Sequence, residues 1–264
     1  MADLRLGAST WGFFSDSNPG AWISQSEAVR AIVRLGLGVE VWPTRGLDDP
    51  PPARDELDRI RDACSEAPFG SVHMRGAYWR WDPSLLREEI ELAAFLRAAT
   101  LVVHPVCLVD GSGRLDVDAV RQAADDAAQL GVCLAVENVP DSARTLDRVL
   151  DEVGSDVDAT NLGICIDVGH AFLSTDLGTD SIRAYLERYG DQLIHLHLHD
   201  NRGTGDDHWP VGEGGIDWPS LIRLLDTLGF AGTAVLEVQS TMGGDAPGAI
   251  ARSVKRISSL RKHR

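Results

Sequence analysis

The 264-residue chain is short of several things, and each shortage removes a class of protein. It has only four cysteines, Cys64, Cys107, Cys133 and Cys165, widely spaced and without a CxxC pair. That excludes a disulfide framework and a thiolate metal cage, and predicts buried thiols in a reducing compartment. No apolar run reaches bilayer length, and Met1 opens no positive, apolar leader, so the expectation is a cytoplasmic protein with no membrane partner. Basic charge is scarce as well, with 25 Lys and Arg against 40 Asp and Glu, a net charge of -15. Such a surface repels polyanions, which makes nucleic acid a disfavoured partner unless a local site holding several divalent cations overrides it. No G-x-G-x-x-G or Walker-type loop follows any strand-like run, which removes the usual support for a nucleotide site.

What the chain does have is alternation. Strand-like runs open near residues 4, 38, 71, 101, 132, 162, 193 and 233, each followed by a helical pattern. Ser24 with Glu27 three residues on reads as a capping box, and Asp82-Pro83 and Asp217-Trp218-Pro219 read as helix entries. The run LGICIDVGH supplies the sixth strand, with Asp167 at its functional end. Near-continuous apolar strands with helices between them imply a parallel sheet covered by helices. Eight such units in this length predict an α/β fold, a single (β/α)8 TIM barrel over residues 1–264, with residues 261–264 as a frayed basic tail. An open doubly wound sheet is the alternative.

The densest polar stretch runs from Leu193 to Trp218. His195, His197 and His199 share one strand parity, Ile194, Leu196 and Leu198 the other, and a Gly-rich loop then supplies Asp206, Asp207 and His208. A lone histidine is ordinarily a hydrogen-bonded core residue; three on one face followed by more metal-capable groups predict an active centre. Other strands end on the same chemistry: His73, His104, Glu137, Asp167 with His170 three residues on, and Glu237. In a barrel these C-terminal ends converge on one mouth. Mixed oxygen and nitrogen donors suit a divalent transition metal such as Zn2+, Mn2+ or Co2+. Glu137, Asp167, His197 and Glu237 make one coherent ion site; His73, His104, His170, Asp206 and His208 extend it to two or three ions. His195, lying deeper, is expected in the core or behind a ligand, and His199 as a substrate contact. Trp11, Phe13, Phe14, Trp42, Trp209 and Trp218 offer a wall for a small polyol, and Glu40 on the second strand is placed to touch a hydroxyl, with a salt bridge as its plainer reading.

The motifs VHM at His73, VVHP at His104, VEN at Glu137, IDVGH from Ile166, HLHD from His197, DDHWPVGEG from Asp206 and LEV at Leu236 together resemble the xylose isomerase-like barrel superfamily, over almost the whole chain. That superfamily includes sugar isomerases, ketose 3-epimerases, inosose dehydratases and endonuclease IV. The resemblance to the epimerases implies a metal held by Glu137, Asp167, His197 and Glu237, with the two glutamates exchanging protons on opposite faces of a substrate carbon. It also implies substrate oxygens held by Asn201 and Arg202, and His170 beside the substrate. Ala143 stands where ketose 3-epimerases carry another glutamate, which favours general isomerisation or epimerisation of a small polyhydroxy compound. The resemblance to endonuclease IV implies a trinuclear zinc set of His73, His104, Glu137, Asp167, His170, His197, Asp206, His208 and Glu237. Against it stand the acidic balance and the segment MRGAYWRW, which is unlike that enzyme's DNA-inserting loop. Metal-dependent dehydratase or lyase chemistry is a third reading, and a homo-oligomer remains open.

Overall fold

The computed structural model describes residues 4–14, 23–44, 52–75, 82–110, 112–153, 161–239 and 245–262. Eight parallel strands close in chain order into a barrel: β1 (Arg5–Ser9), β2 (Gly38–Val41), β3 (Gly70–His73), β4 (Thr100–Val103), β5 (Cys133–Glu137), β6 (Leu162–Asp167), β7 (Leu193–Leu198) and β8 (Thr233–Leu236), with β8 pairing back to β1. The helices are α1 (Gln25–Val33), α2 (Arg54–Cys64), α3 (Pro83–Phe95), α4 (Val117–Gln129), α5 (Ala143–Arg148), α6 (Val168–Leu173), α7 (Ser181–Tyr189), α8 (Trp218–Thr227) and α9 (Ala246–Lys262). The expected (β/α)8 fold is therefore present. No described helix is long and apolar enough to cross a membrane.

Local chemistry starts the helices where the sequence places their entries. The Ser24–Glu27 capping box forms in both directions, Asp82 accepts from Ser84 and Leu85 N–H, and Asp217 accepts from Ser220 N–H. Helix α9 continues through Arg261 and Lys262, two residues into the stretch expected as a tail.

Strand parity then fixes what the barrel encloses. Leu101, Val103, Leu134, Val136, Ile164, Ile166, Leu196 and Leu198 belong to the large core between sheet and helices, whereas Val102, Ala135 and Cys165 form a separate small apolar cluster. Those three share the parity of Glu137, Asp167, His195 and His197, so the outward aliphatic set forces the polar set inward. Register aligns the ligand-bearing ends, with Asp167 opposite His197 and Glu137 opposite Cys165.

The run LGICIDVGH divides in the structure at Asp167, the end the sequence indicates for the strand. The sixth strand stops at Asp167, and Val168–Leu173 is a helix, because the Asp167 carboxylate accepts from His170 N–H at 2.8 Å as an N-cap. That turn rotates His170 back over the barrel mouth.

Candidate metal centre

Among the described residues, three of four groups of donor atoms lie at the mouth, the atoms of each within 4.8 Å of one another: His73, His104 and Glu137; Glu137, Asp167, His197 and Glu237; and His170, His199, Asp206 and His208; the fourth, Cys165, His195 and His197, lies deeper. Glu137 belongs to the first two. Its Oε2 is 3.2 Å from His73 Nε2 and 3.3 Å from His104 Nε2, and its Oε1 is 3.3 Å from both His170 Nδ1 and His197 Nδ1. A carboxylate on β5 thus stands between imidazoles from β3, β4, α6 and β7. Every metal ligand named from the sequence reaches this mouth.

Backbone carbonyls set which imidazole nitrogen faces inward. Nδ1 of His208 lies 2.8 Å from Glu237 O, Nδ1 of His170 lies 3.0 Å from Asn138 O, and Nδ1 of His73 lies 3.2 Å from Met74 O. With the proton on Nδ1 in each ring, Nε2 carries the lone pair toward the centre. His197 is reversed: its Nε2 meets Glu40, leaving Nδ1 toward Glu137, Asp167 and Glu237.

Glu40 therefore does not face a substrate hydroxyl. It is fully buried beneath the centre, with Oε2 3.2 Å from His195 Nε2, Oε1 3.2 Å from His197 Nε2, and Ser71 Oγ donating at 3.0 Å. His195 completes the layer through Thr233 Oγ1 at 2.6 Å, the position behind a ligand that its depth suggests. Burial alone would raise the Glu40 pKa, but His197 and His195 outweigh it and hold the carboxylate well below its usual range. Burial pushes the Cys165 thiol far up, so it meets His197 as a neutral S–H.

The same balance holds above that layer. Burial disfavours the charged form of Glu137, yet His197 and His104 hold it well below the carboxylate range. Burial likewise opposes protonation of His170, but Asp167, Asp206 and Glu137 hold its pKa well above the usual value. His208 is raised to about 9, burial being overcome by Asp206. The buried carboxylates thus require positive charge beside them, and protonated imidazoles or a cation can supply it.

A cation fits this demand. Among the described residues, Glu137 Oε1, Asp167 Oδ2 and His197 Nδ1 are buried without a hydrogen-bond partner, and all three belong to one group. They approach to between 3.3 and 3.9 Å without hydrogen-bond alignment, as donors aimed at a shared centre do.

The loop after β7 is built to return Asp206 and His208 to the mouth. Asp200 and Trp209 exchange backbone hydrogen bonds at 2.8 Å, and His208 adopts a left-handed φ of 49° between them. Asp200 is fully buried and accepts from Asn201 N, Gly212 N, Ile216 N and Trp218 Nε1 at 3.0, 2.9, 3.1 and 2.7 Å. A Cβ on Gly214 would lie 2.3 Å from Asp200 Oδ1, so that position admits only glycine.

Trp218 is consequently a core residue and not part of a pocket wall. Asn201 is also turned to the loop: its side chain donates to Gly169 O at 3.0 Å and accepts from Gly203 N at 2.8 Å. Arg202 is exposed, lies over the Trp209 ring at 4.5 Å and faces Asp207 at 3.4 Å. Trp11 and Trp42 do reach the mouth, Trp11 at 4.4 Å from the His208 ring and Trp42 stacked on His73 at 4.0 Å. The Trp42 indole N–H bonds Glu237, a contact the sequence reading did not foresee; its only signal was an aromatic at the end of β2. Trp79 and Trp81, in the segment after His73, lie outside the described residues.

Among known proteins, the uncharacterised protein MJ1311 of Methanocaldococcus jannaschii is 31% identical over 162 residues, 58% of this chain and 55% of that one. A probable endonuclease 4 of Thermoplasma acidophilum is 31% identical over 152 residues, 52% of each chain. The matches thus span about half the length of these relatives. A solved D-allulose 3-epimerase from Methylomonas sp. superposes with a TM-score of 0.71 over 98% of this chain and 99% of its own, at 18% identity, which is a likeness of fold. The model of the xylose isomerase-like TIM barrel matches residues 29–260, and the chain belongs to that family.

Proposed function

We propose that the protein is a divalent-metal-dependent isomerase or epimerase of a small sugar, cyclitol or sugar phosphate, acting by proton transfer beside a carbonyl. One observation carries the reading: Glu137 and Glu237, from strands on different sides of the barrel, share one four-member donor group with Asp167 and His197, next to the aromatic pair Trp11 and Trp42. Those four residues would hold the ion, with Zn2+, Mn2+ or Co2+ suited to the donors. When bound, the cation supplies stabilisation for negative charge developing on neighbouring substrate oxygens. Glu237, with Oε1 fixed by the Trp42 N–H at 3.1 Å, takes the proton from the carbon next to the carbonyl. Glu137 returns a proton from the other side. Glu40 holds the His197 ring in place from below, and Trp11 and Trp42 shield the reacting carbon from water.

A second reading, phosphoester hydrolysis, is favoured by one specific observation: the two further donor groups flank the central one and extend the set to three cation positions. Parallel assays separate the two. Metal-loaded protein is incubated in deuterated water with ketoses, aldoses, inososes and their phosphates, and separately with duplex DNA bearing an abasic site. Deuterium uptake at the carbon beside the carbonyl, lost in Glu237→Gln and Glu137→Gln, supports the isomerase reading. Metal-dependent cutting of the duplex that His73→Ala abolishes, with no exchange across the panel, overturns it.

A further inference from the structure

Resting on the reading of this mouth as a metal centre, we propose that His199 is a fourth protein ligand in the outermost donor group. It closes that cation position to substrate. His199 is fully buried just past the end of β7 and stacks on His208 with ring centroids 3.9 Å apart and planes 17° from parallel. His170 meets it edge-on at 5.7 Å. A donor atom from each of His170, His199, Asp206 and His208 lies within 4.8 Å of the others, a set of three nitrogens and one oxygen.

Neither ring nitrogen of His199 has a hydrogen-bond partner, although Nε2 lies 2.9 Å from Asp167 Oδ1 and 3.6 Å from Asp206 Oδ1. The approach to Asp167 is an ion-pair contact without hydrogen-bond alignment, to an oxygen that already accepts from His170 N–H at 2.8 Å, and it leaves Nδ1 with no partner. A buried imidazole with both nitrogens unsatisfied requires another partner, and a cation between the four residues is one. The ring's position is itself built in: a Cβ on Gly169 would lie 2.0 Å from His199 Cε1, so the start of α6 is hollowed to admit it.

Four protein donors complete the tetrahedral shell that a structural zinc site has, whereas three donors leave a position for water or substrate. The outer ion is then a clasp that fixes the loop carrying Asp206 and His208 to α6. Substrate oxygens are left to the inner group around Glu137. This bears on the choice of reaction, because a closed outer ion offers no position to a phosphoryl oxygen.

The test needs no substrate. The full chain is stripped with a chelator, reloaded with Co2+, and its ions are counted and titrated by visible absorption in wild type, His199→Ala, His208→Ala and the double variant. Far-UV circular dichroism confirms that each is folded. Each single variant is expected to lose the same one ion, its affinity falling by about 100-fold or more. The double variant is expected to lose no second ion, since both changes act on one site. Gly169→Ala, which removes no donor but drives a Cβ into the His199 ring, should weaken that ion alone and stands in should His199→Ala fail to fold. Inorganic phosphate should leave the outer ion's absorption band unmoved in wild type and, at Co2+ concentrations high enough to refill the weakened site, shift it in His199→Ala. Wild-type protein that binds ions unchanged in His199→Ala and Gly169→Ala overturns the proposal and leaves the metal-centre reading standing. Loss of a second ion in the double variant also overturns it, by assigning His199 to the inner group. Protein that binds no divalent ion overturns both readings.

Discussion

The Trp42 indole N–H donates to Glu237 Oε1 at 3.1 Å while the same ring lies stacked on His73 at 4.0 Å. One side chain at the end of β2 thus orients the carboxylate after β8 and covers an imidazole from β3. Trp42→Phe keeps most of the ring and removes the donor. Loss of a partner behind a metal ligand is expected to weaken divalent-ion binding by about 10- to 100-fold. Competitive Zn2+ titration against a chromophoric chelator measures it, and an unchanged affinity would detach Trp42 from the centre.

Asp200 holds four donors of the loop after β7 and has no exposure to water. Asp200→Ala leaves those donors buried and unpaired, at a cost of about 3 kcal/mol or more. For a chain of this size that corresponds to a fall in melting temperature of roughly 6–12 °C. Trp218→Phe removes a single donor to the carboxylate and should cost about 1–2 kcal/mol. Thermal melts of the two variants beside wild type order these effects, and a Trp218→Phe loss as large as that of Asp200→Ala would count against Asp200 as the hub.

Chelation should destabilise the protein, because an ion bound only by the folded mouth adds to folding free energy by mass action. At a free ion concentration about 100 times Kd the gain is about 2.7 kcal/mol. Melting in excess chelator against excess Zn2+ reads the difference directly. Equal melting temperatures would show that no ion is linked to the fold.

Asp147 on α5 grips Arg188 on α7 through two bonds of 2.8 and 2.7 Å and accepts from Tyr189 Oη at 3.0 Å. The Arg188 hydrogen bonds, against a burial penalty, lower its pKa. The sign follows: a carboxylate whose folded pKa is depressed contributes stability above its unfolded value, about 3.9, and loses it as pH falls through the folded value. Asp147→Asn should therefore cost about 1 kcal/mol at neutral pH, with the gap to wild type closing as pH drops below about 4. Urea melts across that range test it, and a gap that widens in acid would reverse the assignment.

The legible part of the site was its list of donors. Glu137, Asp167, His197, Glu237, His73, His104, His170, Asp206 and His208 were all readable as strand-end or near-end residues, and all reach one mouth. Their partners were not readable. Glu40 had the right parity to face inward, but nothing in GVEVW shows that two imidazoles from β7 would enclose it. Asn201 follows His197 as a substrate-binding residue would, yet its side chain closes hydrogen bonds to Gly169 and Gly203. In loops the side-chain amide competes for backbone groups, and that outcome depends on the whole turn.

The sequence by itself determined the alternation of strands and helices, their entries at Ser24, Asp82 and Asp217, and which residues of the seventh strand share a face. Those features are local: a two-residue period, a capping side chain and an aliphatic stripe are fixed within a few residues of chain. Tertiary structure alone decided that Trp42 meets Glu237, 195 residues away, that Glu40 lies under His197, 157 residues away, and that His199 comes together with His170, Asp206 and His208. These depend on barrel closure, which brings β2 within reach of β7 and β8, and on which carbonyl or carboxylate claims each imidazole nitrogen. Neither is encoded in the spacing along the chain.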